Sequence, residues 1–137
     1  MQALLIVAHG SRRAESNEEI RALAAKVAQQ SGETYGFVGS AFLELAEPSI
    51  PDGIQQCIEQ GAETVTIMPF FLSAGRHVVT DVPELVREKQ REYPHIRIRM
   101  APYLGVSSLM PSLIAQAAAA ACDCPAGHCT YPACLTG

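Results

Sequence analysis

The chain has 137 residues, of which 48% are hydrophobic and 18% charged, and a net charge of −4. That length fits one domain with one core, and the composition is globular rather than disordered. No apolar run approaches the roughly 20 residues of a membrane helix, and no Lys/Arg-rich block supplies the basic face that nucleic-acid binding needs.

Gln2 to Ala8 is a continuous apolar run, the pattern of a parallel strand covered on both faces. His9-Gly10-Ser11 follows as a turn. Ile20, Leu23, Ala24 and Val27 recur at helical spacing, which predicts a helix from about Ala14 to Gln30, with Gly32 just beyond its end. A second strand is expected over Tyr35 to Leu43. Ser49 followed by Pro51 is a helix start, Ile50, Ile54, Cys57 and Ile58 form the apolar stripe, and Gly61 ends it. The third strand, Glu63 to Met68, runs into a long loop that contains Gly75, Arg76 and His77. Asp81 and Pro83 open another helix, Tyr93-Pro94 closes it, and His95 to Ala101 alternates as a fourth strand. A last helix is expected from Ser107 to Ala121.

The order βαβαβαβα with short connections predicts an α/β domain: a flavodoxin-like open parallel sheet of about four strands, ordered 2-1-3-4, with helices on both faces. Residues 1–121 form this domain, and residues 122–137 form a Cys-rich tail. Met1-Gln2-Ala3 enters the first strand without the basic start of a secretion signal, so the expected location is the cytoplasm. In that compartment Cys122, Cys124, Cys129 and Cys134, with His128 among them, suggest a zinc site or an iron–sulfur cluster more than a disulfide framework. Their spacing is not a paired Cys-x-x-Cys, and a redox-sensitive or disordered tail is the alternative. Cys57, on an apolar helix stripe, is expected in the core.

In an open parallel sheet, ligands bind beyond the carboxyl ends of the strands, where strand order reverses. The loops leaving the first three strands carry His9, Glu44 and His77 there. Two imidazoles and a carboxylate suit Fe²⁺, Co²⁺ or Ni²⁺, and imidazole exchanges protons near neutral pH. Each residue also has a plain structural role open to it, and Glu47 competes with Glu44. His95 is expected at the surface.

Leu5-Ile6-Val7-Ala8-His9-Gly10-Ser11-Arg12 resembles the opening of the CbiX/SirB sirohydrochlorin chelatases, a class II chelatase family. Phe42-Leu43-Glu44 with Pro48 and Ile50 resembles their second motif. Pro69-Phe70-Phe71-Leu72, then Gly75, His77, Asp81 and Pro83, resembles the third, the most specific of the three. The resemblance implies a chelatase that inserts Co²⁺ or Fe²⁺ into a carboxylate-rich tetrapyrrole, for cobalamin or sirohaem synthesis. It further implies that His9 and His77 bind the metal and help remove protons, with Glu44 as carboxylate partner. A short single lobe is expected to complete its cleft as a homodimer. Arg12, Arg13 and Arg76 are candidates to pair with substrate carboxylates. Gly10 and Gly75 are expected to let the backbone approach the macrocycle or simply to form turns, and Ser11 is a further substrate-binding candidate. A histidine phosphatase would place Arg before the histidine, where this chain has Ala8. A non-catalytic metal carrier or tetrapyrrole-binding protein would use the same histidines.

Overall fold

A computed structural model describes residues 1–123, except for the side chain of His77. The chain divides into two compact units, one spanning Met1–Val106 and the other starting at Ser107.

The first unit is built on four strands, β1 (Gln2–Ala8), β2 (Phe37–Phe42), β3 (Thr64–Pro69) and β4 (Arg97–Met100). All pair in parallel, in the order β2-β1-β3-β4. The helices are α1 (Ala14–Gln30), α2 (Ile50–Glu59) and α3 (Val82–Glu92). The expected sheet order and the bounds of β1 and α1 are those observed.

β1 lies in the interior of the sheet and is buried on both faces, which explains its unbroken apolar run. Ala3, Leu5 and Val7 point into one cluster with Ile50, Ile54 and Cys57 of α2 and Val82 and Val86 of α3. Leu4, Ile6 and Ala8 alternate to the opposite face and are buried there, beneath α1, whose Ala24 is also buried. At roughly 1.5–3 kcal/mol for each fully buried large side chain, the α2–α3 face carries most of the stabilisation.

Ser49 caps α2, its hydroxyl accepting from the Asp52 amide at 3.3 Å, and Pro51 occupies the first turn. The buried Lys89 fastens α3 to α2 by donating to Gln55 Oε1 at 2.8 Å, which also accepts from the Tyr93 hydroxyl at 2.9 Å.

Most other boundaries shift by one to three residues from the expectation, and two of the shifts have a visible cause. β2 starts at Phe37 rather than Tyr35, because the Tyr35 amide is taken by a turn to the Ser31 carbonyl. β4 starts at Arg97 rather than His95, because Ile96 closes a turn onto Tyr93. A π-helical turn, His77–Asp81, leads into α3. Pro83 lies four residues beyond Val79 and has no N–H for its carbonyl, which favours the wider turn.

The second unit contains α4 (Met110–Ala118), shorter than expected, with no buried residue. Leu113 and Ile114 on it are exposed. Among the described residues no helix is long and apolar enough to cross a membrane.

Candidate active site

β1 and β2 end level with one another, Ala8 beside Phe42. Their ladder continues past the strand ends: the Leu43 amide donates to the Ala8 carbonyl at 2.9 Å and the Glu44 amide to the His9 carbonyl at 3.0 Å. This backbone register places the two side chains together although 35 residues separate them. His9 Nε2 lies 2.8 Å from Glu44 Oε1. The side chains are 44% and 55% exposed, so a ligand above the sheet can reach both. A polar pair this exposed contributes little to stability.

Gly10 has φ +96°, and a Cβ there would lie 1.7 Å from the Glu44 carbonyl oxygen. The glycine is required by the close approach of the two loops as well as by its backbone angle. Ser11 is held on every polar atom. Its amide donates to Asn17 Oδ1 at 2.9 Å, its carbonyl accepts from Asn17 Nδ2 at 2.8 Å, and its hydroxyl accepts from the Arg13 amide at 3.0 Å. Beyond Glu44, Leu45 takes φ +67° and is exposed. The Glu47 carbonyl accepts from Arg21 Nη2 at 2.8 Å. Glu44, not Glu47, meets the imidazole.

β3 joins the same end of the sheet, since the Phe70 amide donates to the Val7 carbonyl at 2.8 Å. The following loop is held at its start, where the Gly105 amide donates to Phe71 at 3.0 Å and a Cβ on Gly105 would lie 1.8 Å from the Leu72 carbonyl oxygen. Leu72 to Arg76 are all exposed. Among the described residues no atom lies within 4 Å of a Cβ added to Gly75, so packing against them does not require a glycine there. His77 opens the π-helical turn, and its side chain is outside the described part of the molecule. A cavity of about 360 Å³ beside the pair is lined by Leu43, Glu44, Asp81, Glu84, Leu85 and Glu88, so its walls are strongly acidic.

Arg12, Arg13 and Arg76 are exposed, Arg13 in a loose pair with Glu15 at 3.7 Å. His95 is exposed as expected, with its ring 6.2 Å from that of Tyr93. Cys57 is fully buried, and burial pushes its thiol up to about 12, which removes it from nucleophilic or redox chemistry. Cys122 is a free thiol, while Cys124, His128, Cys129 and Cys134, and with them the expected tail site, lie outside the described residues. Among the described residues no group of three or more His, Cys, Asp and Glu side chains is arranged to hold a metal.

Asn17 and Arg21 were not singled out from the sequence. Asn17 lies seven residues before Ala24 on the face of α1 that meets the sheet, a polar residue where the helical period calls for an apolar one. That mismatch was the available signal.

The CbiX profile matches residues 3–121. The chain belongs to the CbiX family. Among other CbiX-related proteins, the chloroplastic sirohydrochlorin ferrochelatase of Arabidopsis thaliana is 39% identical over 111 residues, 81% of this chain and 48% of that protein. The sirohydrochlorin cobaltochelatase of Methanocaldococcus jannaschii is 38% identical over 86 residues, 63% of this chain and 59% of that one. The CbiX fold is shared with the sirohydrochlorin chelatase SirB from Bacillus subtilis subspecies spizizenii, solved with cobalt, at TM-score 0.73 and 29% identity, covering 88% of this chain and 51% of SirB. A CbiX protein from Marinobacter aquaeolei VT8 superposes at TM-score 0.70 and 30% identity, covering 87% of this chain and 95% of that one. The chain thus spans about half the length of these curated relatives.

Proposed function

We propose that this CbiX-family chain is a sirohydrochlorin chelatase that inserts Co²⁺ or Fe²⁺ into the macrocycle. The observation that carries the reading is the His9–Glu44 pair, 2.8 Å apart and open to solvent at the carboxyl end of a parallel sheet. Insertion replaces two pyrrole N–H protons with one divalent ion. An imidazole beside a carboxylate supports both halves: neutral His9 is a metal ligand or a proton acceptor, and Glu44 neutralises the imidazolium that forms. His77 is the second imidazole of this reading, one strand away. The acidic walls of the neighbouring cavity favour the approach of a cation.

The macrocycle carries peripheral carboxylates around an apolar ring. The exposed Arg12, Arg13 and Arg76 suit the carboxylates, and the exposed Leu45, Leu72 and Val79 at the same end of the sheet suit the ring. Gly10 and Ser11 shape the floor, and Gly75 leaves the third loop without a side chain where the ring would pass. A homodimer in which two copies close one cleft belongs to the same reading. Cys57 and Cys122 are both free thiols, which agrees with a reducing, cytoplasmic setting.

The test mixes the protein anaerobically with sirohydrochlorin and Co²⁺ or Fe²⁺ and follows the visible spectrum for wild type, His9→Ala, Glu44→Ala and His77→Ala. Multiple turnovers in wild type, lost in the histidine variants, are expected. Stoichiometric metal binding without turnover would replace the enzyme with a carrier.

A further inference from the structure

One face of α1 grips both loops that carry the His9–Glu44 pair. Asn17 and Arg21 are one helical turn apart and so project from the same side of α1. Asn17 is 7% exposed, and its amide closes two hydrogen bonds on the backbone of Ser11, at 2.9 and 2.8 Å, two residues beyond His9. Arg21 Nη2 donates to the Glu47 carbonyl at 2.8 Å, three residues beyond Glu44. The Arg21 guanidinium is fixed in turn: it lies over the Phe42 ring, 5.1 Å from its centroid, and its Nη1 pairs with Glu18. Asn17 thereby reads the first loop and Arg21 the second, each through the loop backbone.

We infer that Asn17 and Arg21 are positioning residues, a two-point brace on α1 that sets the separation and orientation of His9 and Glu44. The inference rests on the reading of that pair as the metal-handling site. Without the brace, the β1–β2 ladder still brings the two loops side by side. The loop backbones beyond His9 and Glu44 then lose their anchors, and the side chains sample geometries in which imidazole and carboxylate do not converge on one ion. Groups that orient metal ligands without touching the metal typically change affinity by about 10- to 100-fold.

The whole chain is prepared as wild type, Asn17→Ala, Arg21→Met, Arg21→Lys and His9→Ala. Each is titrated anaerobically with Co²⁺ and assayed for insertion, and the imidazole nitrogen resonances of His9 are recorded by ¹⁵N NMR. Arg21→Met retains the stack on Phe42 and removes the donor. Asn17→Ala and Arg21→Met are expected to weaken Co²⁺ binding about ten-fold and to lower kcat in step, with KM for sirohydrochlorin unchanged in Arg21→Met and Arg21→Lys restoring most of the loss. The His9 resonances move in both variants. If either variant alone shows these effects, that residue is a positioning residue and the other is not. Should Asn17→Ala fail to fold, Arg21→Met decides the matter. Wild-type Co²⁺ affinity, kcat and His9 resonances in the folded variants, alongside loss of function in His9→Ala, would overturn the brace and leave the site reading intact. If His9→Ala itself binds and inserts Co²⁺ normally, the site reading fails. The His9 resonances then decide the brace alone: shifted in the variants it stands, unshifted it falls.

Discussion

After β1 the backbone is anchored at His9, Ser11 and Arg13, whereas after β3 five consecutive residues, Leu72 to Arg76, are exposed beyond a tether at Phe71 and Gly105. Both loops leave the same end of the same sheet. In the first, a glycine is demanded by a carbonyl 1.7 Å from where its Cβ would sit; in the second, a Cβ added to Gly75 would meet no described atom within 4 Å. The first loop, with its neighbour after β2, is built before any ligand arrives. The second offers an open surface, the usual arrangement where a large substrate must enter. In the proposed chelatase the rigid half holds the proton-handling pair and the open half admits the macrocycle.

The sharpest way to break this contrast is to add one methyl group to each loop. Gly10→Ala should cost roughly 2–5 kcal/mol, from the left-handed backbone angle and the overlap with Glu44 together. Gly75→Ala should stay within about 0.5 kcal/mol of wild type. Denaturant unfolding of both reads the difference, and equal effects would abolish the distinction. Limited trypsinolysis tests it at the backbone: cleavage after Arg76 should precede cleavage after Arg12 or Arg13, although all three side chains are exposed. The reverse order would make the first loop the looser one.

The core beneath both loops supplies a reference. Burial raises the Cys57 thiol from its ordinary 9.0 to about 12, so its contribution is complete below pH 9 and is lost as pH rises toward 12. The stability of wild type relative to Cys57→Ala should therefore fall by about 1 kcal/mol by pH 10 and be flat below pH 9. A similar loss, about 1 kcal/mol, is expected for Ser49→Ala, which removes the cap of α2 and leaves the exposed third loop as it was. The smallest effect belongs to Leu72→Ser, within about 0.5 kcal/mol of wild type, because that side chain is 72% exposed; a loss near 2 kcal/mol would mean that it is packed.

The parts of this architecture readable in the sequence are those set by periodicity. The apolar run Gln2–Ala8 and the helical spacing in Ala14–Gln30 match the observed elements to the residue, and the alternation of strand and helix yields the observed sheet order. The meeting of His9 with Glu44 follows from that order, because adjacent parallel strands deliver their next residues to one place. The choice of Glu44 over Glu47 did not follow, since it depends on the turn at Leu45, a non-glycine residue with positive φ. The π-helical turn was also hidden: Pro83 signals a helix start, but the width of the turn before it depends on a carbonyl left without its donor. Asn17 left a trace, a polar residue in the apolar period of α1, but Arg21 reads as an ordinary polar position, because its hydrogen bond to a distant backbone carbonyl leaves no periodic mark.

The amide bond from Glu44 to the His9 carbonyl has a consequence for how the molecule folds. It is the last rung of the β1–β2 ladder, and it closes a loop of more than thirty residues. The His9–Glu44 pair therefore forms in the same cooperative event that zips the edge strand β2 onto its neighbour. A chain that has completed that pairing already carries the His9–Glu44 contact, and a chain whose β2 has peeled away has lost it. Chelating competence, on the proposed reading, serves as an internal report on whether that edge of the sheet is closed.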